Sequence, residues 1–198
     1  MEIVLIGRSN VGKSSVIRQL TGRKVPVGRR PGVTRRINRY EIGDLDIVDM
    51  PGFGFMSGVS RARQEKTKTE IVSYLEMNRG SIALALEVVD ARSFHEIAER
   101  WEARGQIPVD VEMFHFLQEL ELKPLLVVNK IDLIYPEERD AVLDDISQRV
   151  GLTPPWRQWS DVIVPISAKT GEDVANLKRI VKSRIHELGK GRLSSQLR

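Results

Sequence analysis

The sequence predicts a three-layer α/β fold, with a mostly parallel six-stranded sheet, one antiparallel edge strand and helices on both faces. Three observations carry that prediction. Short aliphatic runs alternate with helical stretches along the 198 residues, the order expected of βαβ units. Most of the runs are continuously apolar, as in strands buried on both faces. One pair of runs is joined only by Gly43-Asp44, a connection short enough for an antiparallel hairpin alone.

The elements follow in order. Met1–Ile6 (MEIVLI) is a buried strand that stops at Gly7, and Val11–Leu20 reads as a helix. Thr21–Arg36 mixes Gly, Pro and Arg without periodicity and reads as a loop. Ile37–Ile42 and Leu45–Met50 form the hairpin, and Pro51–Ser60 (PGFGFMSGVS) is a second loop. Arg61–Asn78 has helical spacing at Ile71, Tyr74, Leu75 and Met77. Ile82–Val89 and Pro124–Val128 (PLLVV) are buried strands, with helical pieces at Ser93–Gly105 and Asp110–Leu122 between them. Pro136–Val150 is a helix opened by proline. Asp161–Ile166 is the last strand and Gly171–Leu188 the last helix. One domain over residues 1–188 and a short polar tail, 189–198, are expected.

Composition removes whole classes of function. With no cysteine, disulfide frameworks, thiolate catalysis and cysteine zinc sites are excluded. Three scattered histidines argue against a protein-built transition-metal centre. No apolar run reaches the roughly 18–20 residues of a membrane span, and no secretory signal opens the chain. The expected product is a cytoplasmic monomer with no membrane association.

Net charge is +4 but unevenly spread. Residues 1–40 hold ten Lys or Arg against the single acid Glu2. Residues 169–198 hold eight against three, and the middle is acidic. That asymmetry suggests a surface that meets a polyanion. For the C-terminal end alone, an ordinary solvated helix face is the favoured reading.

Gly7-Arg8-Ser9-Asn10-Val11-Gly12-Lys13-Ser14 matches GxxxxGK[ST] between a strand and a helix. The glycines let the backbone curl so that N–H groups point at phosphate oxygens, and the helix adds its positive end. Lys13 reaches the β- and γ-phosphates in such a loop, and the Ser14 hydroxyl ligates Mg²⁺. The motif means a nucleoside triphosphate without saying which base.

Further signals stand at strand ends, where such sheets bind ligands. Asp49-Met50-Pro51-Gly52 closes the hairpin. Its acid can hold Mg²⁺ through a water, and the Gly52 N–H can bond a γ-phosphate. Asn129-Lys130-Ile131-Asp132 follows PLLVV. A carboxylate at Asp132 can accept the two donors on the guanine edge, whereas adenine would leave it unpaired. Asn129 can tie the loops together, and the Lys130 stem can lie along the base. Ser167-Ala168-Lys169 can bring backbone N–H groups to the guanine oxygen. Thr34 is the only hydroxyl residue between positions 22 and 48 apart from Tyr40. By elimination it is the loop group that would join Mg²⁺ when a γ-phosphate is present, its alternative being a plain loop threonine.

GRSNVGKSS, Thr34, DMPG, NKID and SAK, in this order, resemble the five motifs of translation-factor-type GTPases. GRSNVGKSS, RPGVT at 30–34 and DMPGFGF at 49–55 resemble, more narrowly, the EngB (YihA/YsxC) family of the TrmE–Era–EngA–EngB–septin superfamily. The resemblance runs from residue 1 to about 185. It implies a Ras-like P-loop GTPase domain that assists assembly of the large ribosomal subunit, a family also associated with cell division and septation. It implies nucleotide contacts at residues 7–15, with Ser15 closing the first motif, at Gly32, Val33 and Thr34, at Asp49, Met50, Pro51 and Gly52, at Asn129, Lys130 and Asp132, and at Ser167, Ala168 and Lys169. Mg²⁺ would be held by Ser14, Thr34 and, through water, Asp49. Lys13, Thr34 and Gly52 would serve hydrolysis. The segment 93–122 is longer than the family pattern.

Ras-like enzymes place a water-orienting Gln after DxxG, but this chain has Phe53, so slow intrinsic hydrolysis is expected. A partner group or a monovalent cation near Asn10 could assist. The form GxxNxGKS resembles potassium-responsive members of the superfamily, while Asn10 could equally cap its own turn. Arg23, Lys24, Arg29, Arg30, Arg35, Arg36 and Arg39 crowd the first switch region. Ribosomal RNA or the large ribosomal subunit is the expected partner, with a GTP-gated protein switch at the division site as the rival. His95-Glu96-Ile97-Ala98-Glu99 lacks the second histidine of a zinc motif. Trp156 and Trp159 read as packing residues rather than a base-stacking pair.

Overall fold

The structure, a computed structural model, describes residues 1–22, 36–54 and 60–188. The loop containing Gly32, Val33, Thr34 and most of the arginine cluster lies outside the described residues, as does the 189–198 tail.

Six strands form one sheet: β1 (Glu2–Ile6), β2 (Asn38–Ile42), β3 (Leu45–Asp49), β4 (Ile82–Asp90), β5 (Leu125–Asn129) and β6 (Ile163–Ile166). Their order is β2-β3-β1-β4-β5-β6. Only β2 and β3 pair antiparallel, with Ile42 opposite Leu45 across the Gly43 turn. The helices are α1 (Lys13–Thr21), α2 (Arg61–Asn78), α3 (Phe94–Glu102), α4 (Val109–Glu119), α5 (Arg139–Arg149) and α6 (Val174–Glu187). No described helix is long and apolar enough to cross a membrane.

Successive strand residues face opposite sides of a sheet, and the core follows that rule. Ile3, Leu5, Leu84, Leu86 and Val88 pack with Ile17 and Leu20 of α1 and Leu177 and Val181 of α6. Val4, Ile6 and Ala85 face the other way, onto Ile71 and Leu75 of α2 and Met113 and Leu117 of α4. Beside them, Leu126 and Val128 meet Phe94 of α3, Phe114 of α4 and Leu143 of α5. By the same alternation Glu87 faces the α2 and α4 side, in register between Ile6 and Leu126. It is a fully buried acid between the aliphatic residues Leu86 and Val88.

The elements differ from the expected ones mainly at their ends. Helix α1 starts at Lys13 rather than Val11 because Gly12 sits at φ 101°, left-handed backbone that no helix continues through. The proline-opened helix begins as a 3₁₀ turn, Pro136–Glu138, before α5. Two other 3₁₀ turns, Ile131–Leu133 and Trp156–Trp159, leave no periodic trace in sequence. The tryptophans pack: Trp156 is buried, its indole N–H donating to Asp140, and the Trp159 indole donates to the Thr153 carbonyl. His95 lies exposed on α3 beside Asp145 of α5.

β1 is flanked by β3 on one side and β4 on the other, so the chain's crossovers diverge there. The loops at the carboxyl ends of β1, β3, β4, β5 and β6 therefore converge on one edge of the sheet.

Candidate nucleotide site

The loop from Gly7 to Gly12 curls because both glycines take backbone that other residues resist. Gly7 has φ 148°, and a Cβ there would lie 2.2 Å from the Val88 carbonyl oxygen. A Cβ on Gly12 would lie 2.3 Å from the Asn129 amide nitrogen. Asn10 is also left-handed, at φ 67°, a conformation asparagine tolerates better than most residues. The curl brings the Lys13 ammonium back over the loop, where it donates to the carbonyls of Gly7 at 2.8 Å and Arg8 at 3.1 Å. Burial pulls the Lys13 pKa down to about 8, against the opposing pull of Asp49 and Asp110.

The β3 end closes on this loop. The Ser14 hydroxyl donates to Asp49 at 3.3 Å, so two oxygen donors suited to a hard cation stand together at the start of α1. Gly52 runs so close that a Cβ on it would meet Ser9 N and Cα at 2.8 Å. Ser9 N–H donates to the Phe53 carbonyl at 3.4 Å, and Arg8 and Phe53 form an isolated parallel bridge. Met50 and Phe53 send their side chains into the core, so only their backbone faces the loop. Phe53 is 1% exposed and offers nothing to orient a water.

At the carboxyl ends of β5 and β6, Asn129 joins three segments. Its amide donates to the Val11 carbonyl at 2.8 Å, and its oxygen accepts the Ala168 N–H at 3.0 Å. Ala168 is fixed again by Gln19, whose amide donates to its carbonyl at 2.9 Å. Ser167 is buried and accepts the Thr170 N–H, while Lys169 is exposed. Lys130, at φ 67°, donates to the Asn10 carbonyl at 2.8 Å and pairs with Asp90. Asp132 keeps one buried carboxylate oxygen with no hydrogen-bond partner among the described residues.

Phosphate loop, DxxG, NKxD and SAK residues are thus brought together at one sheet edge, apart from Gly32, Val33 and Thr34. Sequence reasoning missed Gln19, Asp90, Glu87 and Asp110. Gln19, Asp90 and Asp110 carry no pattern signal. Glu87, an acid in the middle of the aliphatic run of IALALEVVD, was visible as an exception. Burial pushes the Asp110 carboxyl up to about 6, partly offset by Arg8 and Lys13, and pushes Glu87 well above the usual range, helped by Asp110.

A family model described as "50S ribosome-binding GTPase" matches residues 2–130. The chain is 53% identical over 191 residues to the probable GTP-binding protein EngB of Methanopyrus kandleri, spanning 95% of this chain and 94% of that one. The chain belongs to the EngB family. A crystal structure of a probable GTP-binding protein engB matches with TM-score 0.85 at 43% identity, over 94% of this chain and all of that one. NFeoB of S. thermophilus, solved with GDP.AlF4⁻ and K⁺, matches at TM-score 0.59 and 25% identity, over 94% of this chain and 61% of that one. As an EngB-family member with this fold, the protein is a P-loop GTPase.

The Asn129 bridge gives a direct expectation. Asn129→Ala strands two buried backbone groups, Val11 O and Ala168 N, and should cost about 2–4 kcal/mol of stability in urea unfolding. A loss below about 0.5 kcal/mol would mean that the loops are held in other ways.

Proposed function

We propose that this EngB-family GTPase hydrolyses GTP to GDP and phosphate slowly, and acts as a nucleotide-gated factor in assembly of the large ribosomal subunit. The observation that carries the nucleotide reading is a buried Asp132 carboxylate oxygen without a donor among the described residues, three positions after the Asn129 that ties the loops together. A buried carboxylate oxygen without a donor is unfavourable alone and matches the donor edge of guanine. Ser167, Ala168 and Lys169 follow β6, with the Ala168 N–H bonded to Asn129, and in this reading they bound the base from that side.

The phosphates lie along residues 7–15 in this reading. Lys13 meets the β- and γ-oxygens, and Gly52 offers its N–H to the γ-phosphate. Ser14 and Asp49, already in contact, fit Mg²⁺ as oxygen donors, Asp49 acting through water and Thr34 joining them. Mg²⁺ supplies charge neutralisation of the phosphate oxygens when bound. Water attacks the γ-phosphorus, the bond to the bridging oxygen breaks, and GDP and phosphate leave. With Phe53 in the core, no side chain at its position orients that water, which supports slow turnover. Asn10, at the tip of the loop, is the residue that would help seat K⁺, the ion named in the NFeoB structure.

The ten-to-one basic excess of residues 1–40, and the ribosome-binding name of the matched family, support an RNA partner. Arg39 is ion-paired with Glu2 and Asp46 at 2.7 and 2.8 Å, so we place the RNA contacts on the other arginines. Arg36 is exposed, and with Arg29, Arg30 and Arg35 it forms the basic stretch beside Thr34. We read residues 1–188 as the G domain, followed by a polar tail, in a cytoplasmic monomer.

Replacing Asp132 by Asn sets an amide donor against the donors of guanine. GTP affinity should fall by at least ~2 kcal/mol while xanthosine triphosphate gains; unchanged GTP binding removes the base assignment. For the partner, subunit co-sedimentation with a non-hydrolysable GTP analogue should weaken linearly with log[salt], with a slope of about −0.7 to −0.9 per phosphate contact. Replacing Arg29, Arg30, Arg35 and Arg36 together should flatten that slope and abolish binding. Equal slopes and equal binding would favour a protein partner at the division site instead.

A further inference from the structure

Behind the phosphate loop lies a buried charged cluster that none of these steps uses. The Arg8 guanidinium stands 3.8 Å from Asp110, at the first turn of α4, and both side chains are largely buried. One Arg8 nitrogen, one Asp110 oxygen and both Glu87 oxygens are buried without a hydrogen-bond partner among the described residues. An under-satisfied buried network is where small changes of charge have large effects, because the surroundings screen them little. Arg8 also touches the hydrolytic loop. Its backbone bridges to Phe53, and a Cβ built on Gly54 would lie 3.3 Å from the Arg8 Nε.

We propose that Asp110 and Glu87 are positioning residues for GTP hydrolysis, acting through Arg8 to hold the Phe53–Gly54 turn against the phosphate loop. The proposal rests on the hydrolytic reading above, because Gly52, which there meets the γ-phosphate, immediately precedes that turn. Neither acid is among the residues that the functional reading above places on the nucleotide.

The charges facing Asp110 are Arg8 and Lys13 from the phosphate loop and Glu87 from β4. On its own helix, Glu112 is engaged by Lys68 of α2 at 2.7 Å. Asp90 and Lys130, which pair with each other, line the same small cleft of about 160 Å³ as Arg8 and Asp110. Burial, with Asp110 beside it, pushes the Glu87 carboxyl well above its usual range and so favours its neutral form, while Asp110 is the acid that stands 3.8 Å from Arg8. Asp110 titrates near 6. Above that pH the ionised carboxylate holds Arg8 under Gly54. Below it the guanidinium is buried without a counter-charge, and the turn loses its support.

The test is single-turnover GTP hydrolysis from pH 5 to 8, alongside GDP and GTP affinities. Wild type should lose rate as pH falls through about 6 while still binding GDP. Asp110→Asn should be slower by about 10- to 100-fold at neutral pH and lack that acid limb, with GDP affinity changed by no more than about twofold. Glu87→Gln, a neutral hydrogen-bonding replacement, should restore rate that Glu87→Leu loses. Should Asp110→Asn not fold, Asp110→Glu keeps the charge and should retain the limb at a reduced rate. A wild-type rate and limb in Asp110→Asn, or equal losses of rate and GDP affinity, would overturn the proposal alone. Wild-type protein that binds no GTP would overturn the functional reading with it.

Discussion

One carboxamide sets the geometry of the whole site. Asn129 leaves the end of β5, donates to the phosphate loop at Val11 and accepts from Ala168 after β6. Both bonds are buried, so neither exchanges readily with water. They fix the distance between the Gly7–Ser14 loop and the loops that follow β5 and β6. A site for a rigid nucleotide needs that distance set in advance, since ordering it on binding would weaken affinity.

The glycines follow from that constraint. Gly12 has no Cβ because Asn129 already occupies the space, and Gly52 has none because Ser9 does. The phosphate loop is therefore clamped from two sides, by β5 through Asn129 and by the β3 end through Ser9 and Phe53. Phe53 illustrates the exchange of roles: its ring anchors the β3 loop in the core, and the position that could have oriented water serves packing instead.

The strand runs were legible as continuous apolar stretches, the hairpin from its glycine turn, and the helix Arg61–Asn78 from the spacing of Ile71, Tyr74 and Leu75, although Met77 lies exposed. The motif residues were legible because their chemistry requires particular side chains at strand ends. What could not be read was non-periodic or non-local. The 3₁₀ turns have no repeat to detect. Gln19 reaches Ala168 across 149 positions, and Asp110 meets Arg8 only because α4 packs over β4. Helix α1 was expected two residues early, since the left-handed turn at Gly12 is a property of the folded loop and not of its hydropathy.

Burial pulls the Lys13 pKa down to about 8 in the loop where we propose that a guanine nucleotide binds. Phosphate raises the Lys13 pKa on binding, so the complex must take up protons near pH 8, and affinity must decline as pH rises above that value. Calorimetric titration of the wild-type protein with GDP and ADP in Mg²⁺, repeated in buffers of different ionisation enthalpy, reads base preference and proton uptake together. GDP should bind at least ~2 kcal/mol more tightly than ADP, with net proton uptake near pH 8. Equal affinities for the two nucleotides, without proton uptake, would contradict the account.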